Sequence, residues 1–499
     1  MMAETPREKR IFDALFLGLI ALHLALVLTA RLYPFTDLPD HLAAATIARH
    51  AGEPSSAFSE FYRVESSLKP NTFHLWFCGL ALFPSVELAN RALLAVYVVL
   101  FPLSVLLVIR KLGGNPWFAF LSFPLVYNYS VSWGFVGFAL AVPPALLFCR
   151  FFVLDERGVA GGPLLLGAAA ALVLLYFVHV LVALFCVFLL FLRLAARGRG
   201  ALRGLPGSLA AALPLVLLML AWWRAESRDY AGTGLSSFLH GYYRFDFART
   251  LFKRASVFIF DNYHLYAGVK GYAIAALFSL GIVVPAAVSL LARRRGAASV
   301  VPLLLGAALC CLLLPNELPQ QAVLYERFSV FFLLALILFG AALSPARLPR
   351  AAAAAFVALA VCHYILWASY FIEFNRENAG FDRAFLRPDG SGKKLAGLVF
   401  DYTYRGRPTY IHFPSYYIVW EEGVATASLA DFRFGPVRRN ANSIELPRYL
   451  EWVGKSGSYD GRYRDMDYLL MRGGSAPEGF RLQRTAGMWS LYGRAAENN

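Results

Sequence analysis

Apolar runs of about 16 to 20 residues recur along the chain, separated by short Arg/Lys clusters or by longer polar stretches. A helix needs about 20 mostly apolar residues to cross the hydrocarbon core of a bilayer. On that measure the pattern predicts eleven crossings: 11–30, 91–110, 116–131, 137–153, 162–178, 180–195, 205–223, 271–291, 298–314, 329–345 and 350–370. The stretch 162–195 reads as two crossings with a tight turn at His179. The first run does not read as a cleaved signal peptide, because it has no small-residue cleavage site and exits through Arg31-Leu32-Tyr33-Pro34.

Basic residues then give the orientation. Arg7, Lys9 and Arg10 precede the first run, and later clusters sit at Arg110-Lys111, Arg150/Arg157, Arg193/Arg197/Arg199/Arg203, Arg293-Arg294-Arg295 and Arg347/Arg350. With eleven crossings every cluster falls on the side of the N-terminus, which the positive-inside rule makes cytoplasmic. The net charge of +15 is therefore mostly a topology signal, and nucleic-acid binding is set aside. Composition agrees: 58% of the 499 residues are hydrophobic and 16% charged, with mean hydropathy +0.54, against roughly 25% charged in soluble domains. A soluble globular domain and a disordered chain are excluded. Six cysteines, all in apolar stretches, exclude a disulfide scaffold.

The other side receives the loop 31–90, the turn 127–136, His179, the loop 224–270, the loop 315–328 and the tail. The predicted fold class is an all-α polytopic membrane protein of about eleven transmembrane helices, residues 1–371, with a small extracytoplasmic α/β domain, 372–499. In that tail Leu395–Phe400, Thr409–Trp420, Asp467–Met471 and the pair flanking Ala486-Gly487 read as strands. Asn440–Gly454 reads as helical in part. The segment His412-Phe-Pro-Ser-Tyr416-Tyr417 is taken within a strand that faces an acceptor.

Loop 31–90 carries the sharpest chemistry. Pro34-Phe-Thr-Asp37-Leu-Pro-Asp40-His41 leads into an Ala-rich run ending Ile47-Ala48-Arg49-His50. Pro39 suits the first turn of a helix, so a helix is expected to about His50. Its dipole favours carboxylates at the start, which presents Asp37 and Asp40 together. A helix cap and a solvated first-turn acid are the plain alternative. Leu68-Lys69-Pro70-Asn71-Thr72 then introduces the apolar stretch Phe73–Phe83, expected to be a juxtamembrane helix ended by Pro84.

These residues resemble the C-type glycosyltransferase superfamily (GT-C), integral membrane enzymes that take sugars from polyprenyl-phosphate donors. The pattern is most similar to bacterial aminoarabinose transferases and protein mannosyltransferases. Asp40-His41 matches the start of that superfamily's acidic loop motif, and Ile47-Ala48-Arg49 its end. Lys69-Pro70-Asn71-Thr72-Phe73-His74-Leu75-Trp76 matches its Lys-Pro-Pro-aromatic segment. His41 stands where a second acid is usual, Asn71 stands for the second Pro, and Asp37 is an extra acid. The motifs cover about 31–91, and the layout the whole chain.

The resemblance implies a glycosyltransferase that moves a sugar from a polyprenyl-phosphate donor to a lipid, glycan or protein acceptor. The lack of targeting features and the Ala/Leu/Arg-rich style point to a bacterium, hence to its inner membrane, and the basic clusters put the N-terminus in the cytoplasm and the tail in the periplasm. Asp37 or Asp40 would be the catalytic base, and direct displacement would invert the anomeric centre. Lys69 and Arg327 would hold the donor phosphate, against the plain alternative of snorkelling. His41, His74, Asn128, Trp133, His179 and His264 would line the substrates, and loop 224–270 would form a lid or acceptor platform. Interfacial aromatics explain the turn Tyr127–Phe135 equally well. A divalent cation, Mg or Mn, at Asp37 and Asp40 stays open, whereas no zinc-ligand spacing exists. No Walker loop, Rossmann glycine pattern or G-x-S-x-G elbow is present, which disfavours a nucleotide-sugar donor. The competing classes are a transporter or lipid flippase, which would show repeats and midplane ionisable groups, and a non-catalytic scaffold of an envelope-polysaccharide pathway.

Overall fold

The computed structural model describes residues 5–53, 56, 58–65, 68–155, 159, 161–197, 201–226, 247–263, 265–291, 297–316, 323–344, 348–387, 394–426, 435–440, 463 and 465–495. Among them, eight helices are long and apolar enough to cross a membrane: Pro6–Thr29, Val86–Lys111, Val136–Val153, Gly162–Ala196, Leu202–Glu226, Gly268–Leu291, Leu324–Leu343 and Arg350–Glu377. The protein is a multi-pass membrane protein. By contacts the chain separates into a first unit, Met1–Leu28, Leu94–Val131 and Gly137–Ala368, and a second, Thr29–Leu93, Ser132–Val136 and Ser369–Asn499.

Three of the eleven expected crossings resolve differently. Pro116–Leu125 is a buried 3-10 helix, about 20 Å long at about 2.0 Å per residue, where the pattern suggests a regular α-helix. Asn115 caps it by accepting from Trp117 N at 3.1 Å. The helix Val301–Leu313 also reaches only about 20 Å. The run Gly162–Ala196 counts as one long helix, but its backbone is extended at His179 (φ −164, ψ 109). Each side of that break is about 25 Å, and the break falls on the residue where the hydrophobic pattern was split.

In the first unit the opening helix buries Phe12, Phe16, Leu19, Ile20, His23, Leu26 and Val27, the three-to-four spacing of one face. Phe12 and Phe16 meet Phe120 edge-on at 5.4 and 5.7 Å. Leu15, Leu17, Leu22 and Leu28 stay exposed, as a lipid-facing side requires.

Within the second unit the tail forms a five-stranded sheet in the order β3-β2-β5-β7-β6. The strands are β2 Lys394–Val399, β3 Val424–Ala425, β5 Tyr468–Arg472, β6 Phe480–Ala486 and β7 Trp489–Arg494. β2 pairs parallel with β3 and β5, while β5/β7 and β6/β7 are antiparallel. The expected strands at 395–400, 467–471 and around Ala486-Gly487 are present. A two-stranded ladder joins β1 Tyr62–Val64 to β4 Val437–Arg439, tying the first outer loop to the tail. Ala396, Leu398, Tyr463, Met466, Leu469 and Met471 form the sheet's core.

Thr409–Trp420 is not a strand. Phe413–Ser415 makes a 3-10 turn and Tyr416–Glu421 a short helix. Pro414 removes a ladder donor, and stacking holds the turn instead: Phe413 lies on Trp489 (5.3 Å, 8°) and Tyr416 on Trp420 (4.6 Å, 24°). Gly397 in β2 permits this packing, since a Cβ there would collide with Pro414 Cγ. The expected helix after Asn440 lies outside the described residues, as do Arg228, Asp229, His240, Arg244, Asp246 and His264.

Candidate active site

The helix Leu38–His50 begins where the sequence places it, with Pro in its first turn. Asp37 occupies the N-cap position, yet its side chain makes no capping hydrogen bond. The start is held from outside instead. Asp37 N donates to Trp133 O at 2.9 Å and Thr36 N to Ser132 O at 3.4 Å. Gly134 (φ +83) makes this close approach possible, because a Cβ there would sit 2.6 Å from Asp37 N. Arg407 Nη2 donates to Ser132 Oγ at 2.6 Å, fastening the same turn to the tail.

Both aspartates meet His412. Its Nε2 lies 3.4 Å from Asp37 Oδ1 and its Nδ1 3.1 Å from Asp40 Oδ2. The imidazole thus lies between the two carboxylates, with one ring nitrogen toward each. Ser415 Oγ donates to Asp40 Oδ1. Asp40 is 1% exposed and Asp37 25%. The two acids therefore differ: Asp40 is fixed in the interior, and Asp37 is the one open to solvent. Neither simple capping nor free solvation describes them.

The other expected residues distribute as follows. His41 is half-buried and meets His74 edge-on at 5.7 Å. His74 is a core residue: its Nε2 pairs with Asn90 Oδ1 at 2.9 Å, and burial holds its pKa below the usual 6.5. Burial also pushes the neighbouring Cys78 thiol up to about 12, so it is an inert packing group. Trp133 is half-buried beside Phe135 (6.2 Å, 12°), next to the start of the acid helix.

Lys69 lies inside the second unit. Its ammonium is 0% exposed, 2.7 Å from Glu65 Oε2 and 3.1 Å from Gly435 O. Glu65 also takes Arg438 at 3.2 Å and Arg63 at 3.4 Å. Lys69 is thus part of an interior ion pair joining loop to tail. Asn128 is likewise a turn residue rather than a lining one: fully buried, it donates to Leu125 O (2.9 Å) and Tyr97 Oη (3.2 Å) and accepts from Ser130 N (2.9 Å). Asn128, His179 and Arg327 belong to the first unit. There His179 is buried edge-on to Phe138 at 5.0 Å, and Arg327 is close enough to act on it electrostatically.

The sequence reading put His412 on the outer side and in an acceptor-facing strand but gave it no partner, and Ser415 and Arg407 carried no signal of their own. Two further histidines were missed. His23 and His363 are fully buried in the first unit, His23 with Nδ1 3.3 Å from Tyr127 Oη. Their sequence signal is a lone histidine in an apolar run, which is more often a satisfied interior residue than a ligand.

A hard divalent cation takes six or more oxygen ligands. Here the oxygens of Asp37 and Asp40 face an imidazole and a hydroxyl. No group of three or more His, Cys, Asp or Glu is placed to hold a metal among the described residues.

No family model matches the chain, and no curated protein matches it. Among solved structures it is similar to the crystal structure of ArnT from Cupriavidus metallidurans bound to undecaprenyl phosphate. That match has 13% identity and a TM-score of 0.43, and covers 97% of this chain and 98% of the other.

Proposed function

We propose that this protein is a membrane glycosyltransferase that uses a polyprenyl-phosphate-linked sugar, with Asp37 as its base. The observation that carries the reading is the Asp37–His412–Asp40 constellation: one reachable carboxylate at a helix start, held by a histidine that a buried second carboxylate fixes. A carboxylate within about 3 Å of an acceptor hydroxyl can take its proton. As the acceptor oxygen bonds to the anomeric carbon, the bond from that carbon to the phosphate oxygen breaks. The electron pair leaves with the polyprenyl phosphate, the proton passes to Asp37, and the centre inverts. Asp40 and Ser415 position His412 and do not touch substrate. His41 and Trp133 flank the acceptor side. Acceptor and sugar are left to experiment, within the lipid, glycan and protein classes of the periplasmic face.

The test is transfer of label from a panel of polyprenyl-phosphate sugars to envelope extracts by protein in nanodiscs. Asp37→Asn should lower the rate by about 10²- to 10⁴-fold, the usual contribution of a positioned base, with insertion and melting temperature retained. Wild-type turnover that survives Asp37→Asn would refute the assignment. Binding without turnover across the panel would favour a scaffold.

A further inference from the structure

The second unit holds a cleft of ≈ 540 Å³ apart from the aspartates, at the C-terminal end of the helix Arg350–Glu377. That volume is in the range of small-molecule sites, about 300–1,000 Å³. Three guanidinium groups and three carboxylates line it: Arg376, Arg405, Arg472, Glu373, Glu377 and Asp401.

The floor is built rather than incidental. Arg472 is 2% exposed. Its Nη2 donates to Glu377 Oε1 at 2.6 Å and its Nε to Asp401 O at 3.0 Å. Its guanidinium lies 3.9 Å over the Tyr410 ring. Nη1 is enclosed with no hydrogen-bond partner among the described residues, a state that costs free energy and that a bound polar group or water would relieve. At the rim Arg405 pairs with Glu373. Arg405 has φ +51 and Gly406 φ +83, in a turn closed by Tyr404 N→Arg407 O at 2.8 Å and its reciprocal at 3.0 Å.

We propose that this cleft binds a neutral sugar unit, free or as part of a glycan. Charge argues for neutrality: an anion entering meets three carboxylates, and a cation meets three guanidinium groups. A polyol suffers neither penalty. Its hydroxyls donate to carboxylates and accept from guanidinium groups, and each carboxylate has about four acceptor sites. The side chains of Glu373, Glu377 and Asp401 are 43%, 33% and 40% exposed, so part of that capacity faces the cleft. The proposal stands apart from the Asp37 chemistry, with which it shares no residue.

Saturation-transfer NMR on the full chain in nanodiscs tests it. The neutral probes are methyl glucoside, methyl mannoside and N-acetylglucosamine, with glucuronate and glucosamine as charged comparators. A neutral probe should bind saturably, and Asp401→Asn and Glu373→Gln should each weaken it about tenfold or more, the usual effect of losing a charged hydrogen-bond partner. Both variants keep side-chain shape, and unchanged melting temperatures verify folding. Asp37→Asn should leave this binding intact, which separates the outcome from the transferase test. No binding by any neutral probe, binding unchanged in both variants, or preference for a charged comparator would overturn the proposal.

Discussion

Replacing His412 by Ala probes the constellation at its centre. The half of the interaction toward Asp40 is interior, 3.1 Å long with the carboxylate 1% exposed. Removing one partner from a buried pair costs about 3–5 kcal/mol. The half toward Asp37 is 3.4 Å long and a quarter exposed, which solvent screening reduces to about 0–1 kcal/mol. The expected loss is thus about 3–5 kcal/mol, nearly all of it from Asp40. If so, Asp40→Asn should relieve it, because the amide removes the buried charge that the loss of His412 leaves alone. The assay is a double-mutant cycle of His412→Ala and Asp40→Asn, read by denaturant unfolding in detergent micelles. A coupling of about 1–3 kcal/mol is expected, with a much weaker coupling between His412→Ala and Asp37→Asn. Additivity within about 0.5 kcal/mol for the Asp40 pair, or stronger coupling to Asp37, would refute the reasoning.

Gly134→Ala should cost about 1–3 kcal/mol, since it forces a side chain into a left-handed backbone against Asp37 N; a melting temperature equal to wild type would contradict the packing described. For the Lys69 pair an asymmetry is expected. Glu65→Gln takes the carboxylate from a fully buried ammonium and should cost about 3–5 kcal/mol, whereas Lys69→Met leaves Glu65 with Arg63 and Arg438 and should cost less. Denaturant midpoints of the two variants decide it, and the reverse order would show that Lys69 acts elsewhere. His74 is held neutral by burial, so below about pH 6.5 the unfolded chain binds a proton that the folded one does not, and stability falls as pH falls. The drop in melting temperature between pH 7.5 and 5 should be smaller in His74→Gln than in wild type, and an equal drop would contradict the assignment.

Local signals in the sequence located much of this architecture. Pro39 and the run to His50 marked the acid helix, and the alternation around Ala486-Gly487 marked the β6/β7 hairpin. Failures came where distant contacts override local pattern. Thr409–Trp420 is aromatic and β-rich in composition, but stacking on Trp489 and the space over Gly397 make it a turn and a helix. The partnership of His412 with Asp40 could not be read, because nothing local links positions so far apart. Lys69 was different, since Glu65 stands four residues before it, a spacing that already suggests an ion pair. The run 116–131 suggested a regular α-helix by hydropathy alone, and its prolines at 116 and 124 were the sign of the 3-10 geometry found there.

The span between the groups that meet at the aspartates has a consequence for biosynthesis. Asp40 and the Ser415 that bonds it are separated by 375 positions. At about 5–20 residues per second, translation needs roughly 20–75 s to supply the second after the first. During that interval Asp37 and Asp40 exist without His412. A ribosome that stops before codon 412 therefore releases a chain that can insert its spans but lacks the constellation's centre. The constellation thus closes late, and a chain that ends before residue 412 has the two acids without the groups that hold them.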